Sequence, residues 1–268
     1  MGSISQLPAH QLNIAHSGAE TDHMPDQAKE LIRRLYWMNT TDLTMNLNNE
    51  WVLVFVTIGT EELCAKCDEP NMNALKTALL TLRKGIPKAM VVLVGPVHVT
   101  KNTALTYNLL KPRCSCLSRI SDRKLRIIQK RWKDAFRNLE DEFNRREFPN
   151  FEILALPLLE IISRYPETLF ISEKPLLNRK GHAYAAKWLW NRMIAGPKYN
   201  ASKMPLSEDA YYCPSLGCPY FRTSRNLQHC STITISEYNR IMATTLRPGH
   251  LVTHNPKKEI MQSHIVSY

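Results

Sequence analysis

The sequence predicts an α/β chain: a parallel sheet flanked by helices in three layers. Three observations carry this. The runs Trp51–Ile58 and Ala89–Gly95 are almost wholly apolar and rich in β-branched residues, as strands buried on both faces are. Phe151–Leu156 is a third, shorter run of the same kind. Between these runs lie segments with apolar residues at helical spacing, and alternating strands and helices favour parallel strands joined by right-handed crossovers.

The elements are expected in the following order. Leu12–Ala15 reads as a short strand. Pro25–Met38 carries Ala28, Leu31, Ile32 and Leu35 on one helical face, with charges between. The strand 51–58 closes at Gly59. A helix follows over 71–85, with Leu75, Ala78, Leu79 and Leu82 on one face, and then the strand 89–95. A long helix over 119–145 turns Leu125, Ile128, Trp132 and Phe136 inward and leaves a basic face between Arg123 and Lys133. Phe151–Leu156 is the last strand expected, and Lys180–Met193 the closing helix. Beyond residue 196, Pro197, Pro205, Pro214 and Pro219 break every regular pattern. The organisation expected is a disordered leader over 1–10, one domain over 11–195, an irregular cysteine-bearing tail packed on it over 196–230, and a partly disordered end over 231–268.

Composition narrows the function classes. The chain of 268 residues has no apolar run long enough to span a bilayer. Its N-terminus lacks the charged region and apolar core of a signal peptide. A formal charge of +11 suits attraction to an anionic membrane surface, and equally suits solubility. No nucleic-acid partner, metal or cofactor is expected. Seven cysteines fall as Cys64/Cys67, Cys114/Cys116, Cys213/Cys218 and a lone Cys230. Three close pairs and a leftover suit local disulfides in an oxidising setting, with zinc ligation and reduced structural thiols as competing readings. Asn39 and Asn200 begin glycosylation sequons.

The loop after the strand 51–58 lies where open parallel sheets place their chemistry, and it holds two carboxylates, Glu61 and Glu62. Trp51, Gly59, Glu62-Leu63-Cys64 and Cys67 together resemble the third sequence block of the phospholipase B-like branch of the GDSL (SGNH) lipases. That block ends Ile-Gly-Gly-Asn-Asp-Leu-Cys-x-x-Cys. Upstream, Leu12–Ala19 followed by Met24-Pro25, Gln27-Ala28 and Leu31 resembles the family's second block. Downstream, Gly181-His182-Ala183 through Met193 resembles the helix after its last block. Tyr212-Cys213-Pro214 and Pro219–Thr223 resemble its C-terminal tail. The matches run in order over roughly residues 11–226.

The resemblance implies an SGNH-hydrolase-like fold, an acyl ester such as a phospholipid as ancestral ligand, and an extracellular or membrane-associated setting. It places the oxyanion hole at Gly18, Gly59 and Glu61, and the acid–base pair at Glu173 and Leu176. With that setting, the expected bridges are Cys64–Cys67 and Cys213–Cys218, leaving Cys230 unpaired.

The departures are as informative as the matches. The family's nucleophilic serine sits in a Gly-Asp-Ser motif on a first strand, and no segment here matches it. Its oxyanion asparagine has become Glu61, an acceptor-only group when ionised, which repels a developing negative charge. Its catalytic histidine has become Leu176, which has no lone pair to take a proton. Triad members act as a unit, and losing one can cost about a million-fold in turnover. His182 reads as a helix-start packing histidine, and no motif positions a base to activate Ser17. The missing strand is central in the family, so either the strands 12–15 and 51–58 close ranks or the sequence is an incomplete gene model or splice form; the second is favoured. The expected function is a catalytically inactive lipase-like protein that keeps lipid or partner binding. The alternative is an active phospholipase or carboxylester hydrolase, should a fuller form supply the serine strand.

Overall fold

The computed structural model describes residues 11–42, 46–101, 108–196, 211–223, 225–226 and 229–245. The leader over 1–10, Asn200 and the segment beyond 245 lie outside the described residues. The chain divides into two compact units, the first ending at Ala183 and the second beginning at Tyr184.

The first unit is the α/β part. Its core is a three-stranded parallel sheet in the order β1 (Val52–Thr57), β2 (Ala89–Val94), β4 (Phe151–Leu156). All six residues of β2 and of β4 are buried, which is why both read as unbroken apolar runs. Among the described residues β1 pairs with β2 alone, and it is half exposed, with Phe55 at the surface. The helices follow the sequence pattern closely: α1 (Met24–Thr41), α2 (Met72–Gly85) and α3 (Asp122–Arg145). Pro25 opens α1, where its missing N–H costs nothing. The Asn71 side chain caps α2 by accepting from Ala74 N, and Ser121 caps α3 by accepting from Lys124 N. α1 packs on α2, and α3 lays Leu125, Ile128, Trp132, Phe136 and Phe143 inward. Trp132 and Phe136 meet at a ring distance of 5.7 Å, both wholly buried.

Two expectations are corrected. Residues 11–16 form no strand; Asn13 instead turns its side chain back to accept from Ala15 N, a local bond that competes with a ladder. Phe151–Leu156 is not the last strand. After the close approach of Gly95 to Pro157, β3 (Val97–Thr100) and β5 (Leu159–Ile162) pair in parallel as a separate ribbon. Each has four residues and a polar or charged member, too little for a periodicity signal. Within the end region Thr232–Thr234 forms a strand and Ile235–Thr245 a helix.

The β3–β5 ribbon holds a half-buried titratable cluster. His98 stands in register with Glu160, and its Nδ1 lies 2.9 Å from the Gln129 amide nitrogen on α3. Lys133 is paired with Glu160 at 2.9 Å. With the amide donating, His98 Nδ1 is the acceptor and the ring is neutral. Burial first, opposed by Glu160 and assisted by Lys133, pulls the His98 pKa down to about 4. The unfolded chain takes up this proton near pH 6.5 and the folded one only near pH 4. Stability is therefore full above about pH 6.5 and falls as the pH drops towards 4, by on the order of 3 kcal/mol at most. We expect urea midpoints between pH 7 and pH 4 to decline less steeply in His98→Gln, which cannot charge. Equal slopes would remove His98 as the cause.

The second unit contains α4 from Tyr184 onward (the whole helix is Arg179–Ala195), the antiparallel pair β6 (Tyr212–Pro214) and β7 (Thr232–Thr234), and α5 (Ile235–Thr245). Asn191 Oδ1 accepts from Tyr212 N, and the Trp190 indole donates to Tyr212 O at 2.8 Å. Arg222, wholly buried, donates to the carbonyls of Cys218, Tyr220 and Ser231. An arginine in this place gathers three carbonyls of an irregular segment that no ladder would satisfy. The expected Cys213–Cys218 bridge is not formed: Cys218 is joined to Cys230, and Cys213 is free, its thiol pKa pushed up by burial. Cys218, four residues past the end of β6, thus finds its partner twelve residues further on.

Candidate functional site

The candidate residues of the first unit sit on three loops: Gly18 on the turn before α1, Gly59 and Glu61 after β1, and Glu173 and Leu176 after β5. The loop after β1 begins at Gly59, whose φ is +98°. A Cβ there would lie 2.3 Å from the Trp132 ring. The sharp turn and the indole beneath it together require glycine, so packing alone accounts for this residue. Thr60 Oγ1 accepts from Val97 N at 3.1 Å, which ties this loop to the start of β3.

The two carboxylates that follow have opposite fates. Glu61 is exposed. Glu62 is buried, and its Oε1 accepts from Thr21 N at 3.0 Å and from Thr21 Oγ1 at 2.5 Å. Thr21 Oγ1 in turn accepts from Asn71 N, so a single hydroxyl joins three segments. Burial raises the Glu62 pKa, while the Thr21 donors oppose the rise and the nearby Glu20 and Asp22 add to it. A raised carboxylate has the opposite linkage sign to His98, since the folded state holds its proton longer as pH rises. Nothing in the local residue pattern marks Glu62, and not its neighbour, as the structural member. Its signal would have been a hydroxyl at a position that only the fold brings near.

Gly18 lies on the preceding turn, closed by Ala19 N donating to His16 O, with φ +73° and open space where a Cβ would stand. The Thr21–Glu62 bonds bring this turn towards the loop after β1. His23 is engaged locally, its Nδ1 accepting from Glu20 N.

The expected Cys64–Cys67 bridge is also corrected. Cys64 is joined to Cys114 and Cys67 to Cys116, so two parallel bridges clamp the loop after β1 to residues 114–116. Glu62–Lys66 forms a π-helical turn ending at Cys67 in the left-handed conformation (φ 59°). Cys116 N donates to Cys64 O at 3.0 Å, which sets the two pairs side by side. An x-separated pair facing a two-x-separated pair across a turn satisfies both spacings at once.

Glu173 and Leu176 lie in a turn between Phe170 and Leu177, which are bridged antiparallel. Ile171 N donates to Leu176 O at 2.8 Å, Lys174 N donates to Ile171 O, and Glu173 has φ 58°. Glu173 is exposed, and Leu176 is 54% exposed. Arg113 connects this turn to the clamped segment, paired with Glu167 at 2.5 Å and stacked 4.4 Å over the Phe170 ring. A continuous chain of bonds thus runs from Thr21 through Glu62, the two bridges and Arg113 to the 165–177 loop. His182 is exposed, its N–H held by Asn178 O. Asn39, the other sequon asparagine, lies on α1 and accepts from Leu47 N through Oδ1.

A parallel sheet flanked by helices, with Gly59, Glu61 and Glu62 on the loop at the carboxyl end of β1, makes an α/β architecture compatible with a hydrolase fold. Among characterised proteins the chain is similar to "Phospholipase B1, membrane-associated". It is 26% identical to that of Mus musculus over 243 residues, 24% to that of Rattus norvegicus over 243 and 28% to that of Homo sapiens over 242. These alignments cover about 80% of this chain and 16% of each relative, so the chain spans about one sixth of their length. No protein-family model matches, and no solved structure matches. The homology supports a phospholipase B-like family. The disulfides are consistent with an extracellular or membrane-associated setting, and no described helix is long and apolar enough to cross a membrane.

Proposed function

We propose that the chain is a GDSL-type phospholipase B homologue that no longer hydrolyses esters and keeps the ancestral loops for binding a lipid or a partner. The observation that carries this is Leu176 at the surface of the 170–177 turn, in the position where the resemblance puts the general base. A base must abstract a proton across hydrogen-bonding distance, and leucine has no atom that can do so. Glu61, exposed where an oxyanion donor would stand, adds negative charge at the point where negative charge develops. Gly59 is accounted for by Trp132, so its retention needs no catalytic role.

Hydrolysis of a short nitrophenyl ester and of phosphatidylcholine is expected at background rate. Activity abolished by a serine-directed phosphonate would overturn the proposal. A second reading, an active hydrolase in a fuller form, is favoured by one observation: among the described residues β1 has a strand on one side only. Fusing a Gly-Asp-Ser strand to the chain separates the two. We expect the fusion to stay inactive until Leu176→His, Glu61→Asn and Glu173→Asp are added. Full activity of the fusion alone would establish the second reading.

A further inference from the structure

The 164–177 loop presents large apolar side chains and exposed cations to solvent. Tyr165 is 71% exposed, Ile171 42% and Leu176 54%. Ile171 and Leu176 are neighbours across the hydrogen-bonded turn, so two aliphatic tips project from one rigid point. Arg164 and Lys174, both exposed, flank them; the turn's free carboxylate, Glu173, stands next to Lys174. Two ion pairs tie the start of α3 to this loop: Lys111 pairs with Asp122 at 2.5 Å, and Arg113, two residues on, pairs with Glu167. There Arg123 and Lys124 are exposed and have no ion-pair partner among the described residues.

We propose that this end of the first unit is a docking surface for an anionic phospholipid bilayer, with Ile171 and Leu176 entering the acyl boundary and Arg123, Lys124 and Lys174 meeting lipid phosphates and carboxylates. The inference needs no substrate in the ancestral site and stands whether or not the chain hydrolyses esters. Charge complementarity selects the sign of the surface. The apolar tips select a bilayer over a nucleic acid: a phosphate backbone offers nothing to an exposed isoleucine and leucine, whereas an interface buries both.

Co-sedimentation with vesicles of phosphatidylcholine containing about 30% phosphatidylserine tests it. The wild-type chain should bind these and not pure phosphatidylcholine vesicles, and about 0.5 M salt should release it. Arg123→Gln/Lys124→Gln should lower the partition coefficient about thirtyfold, since each cation near such a surface contributes a factor of about five. Ile171→Ser/Leu176→Ser should lower it about tenfold. Arg145→Gln/Arg146→Gln removes the same charge about 33 Å away along α3 and should leave binding unchanged. Should either double variant lose its thermal transition, Lys124→Gln and Leu176→Ser alone, with the salt titration, report the same dependence. Wild-type binding that ignores phosphatidylserine would overturn the proposal. So would an unaffected apolar variant, a control pair as damaging as Arg123→Gln/Lys124→Gln, or release of the chain from vesicles by duplex DNA at equal charge concentration.

Discussion

Gly59→Ala is expected to destabilise the first unit by about 2–5 kcal/mol, a sum of backbone strain at positive φ and overpacking against a fixed ring. The added methyl would meet Trp132 at 2.3 and 2.4 Å and Pro96 at 3.0 Å. Trp132 cannot yield easily, because it is wholly buried and its indole N–H donates to Asp68 O at 2.9 Å. Gly18→Ala is the internal comparison. Its φ is also positive, yet nothing stands within 4 Å of the added carbon, so only about 1 kcal/mol of backbone strain remains. Urea denaturation of both variants decides the matter. Equal losses at the two positions would show that Trp132 does not constrain Gly59.

The second large effect concerns the paired bridges. Cys64–Cys114 and Cys67–Cys116 close loops of 50 and 49 residues, each of which on the chain-entropy model contributes about 4 kcal/mol alone. They close nearly the same loop, however, so their contributions overlap. Cys116→Ala/Cys67→Ala should cost only about 1–2 kcal/mol, because the neighbouring bridge still restrains the unfolded chain. Removing all four cysteines should cost about 4–5 kcal/mol. Non-reducing peptide mapping of chain produced in an oxidising compartment should recover the two cross-links, together with Cys218–Cys230, and alkylate Cys213 alone. A recovered Cys64–Cys67 peptide would falsify the connectivity, and additive losses in the cycle would refute the overlap.

These two cases mark where local pattern stops being informative. β2 and β4 were legible because burial on both faces writes an uninterrupted apolar run, and α1, α2 and α3 because one buried face repeats at helical spacing. Leu12–Ala15 carries apolar residues in a similar run, but no neighbouring strand takes it up and Asn13 satisfies the backbone locally. β3 and β5 were illegible for the converse reason: four residues each, with His98 and Glu160 among them, become strands only because they face one another. The cysteine spacing suggested bonds within each pair, yet the bonds run between pairs, since what decides a bridge is the approach of two loops distant in sequence.

At the candidate site the division is sharper. The residue types alone determined what chemistry is excluded: a leucine cannot accept a proton and an ionised glutamate cannot donate a hydrogen bond, wherever they lie. Which of two adjacent glutamates is buried was decided by Thr21, forty-one residues away in the sequence, whose amide and hydroxyl both donate to Glu62. Why residue 59 is glycine was decided by an indole from α3 beneath it. Side-chain chemistry belongs to the residue and survives any fold, whereas burial, pairing and close approach belong to contacts between distant segments, and those exist only once the sheet, the bridges and the helices have brought the segments together.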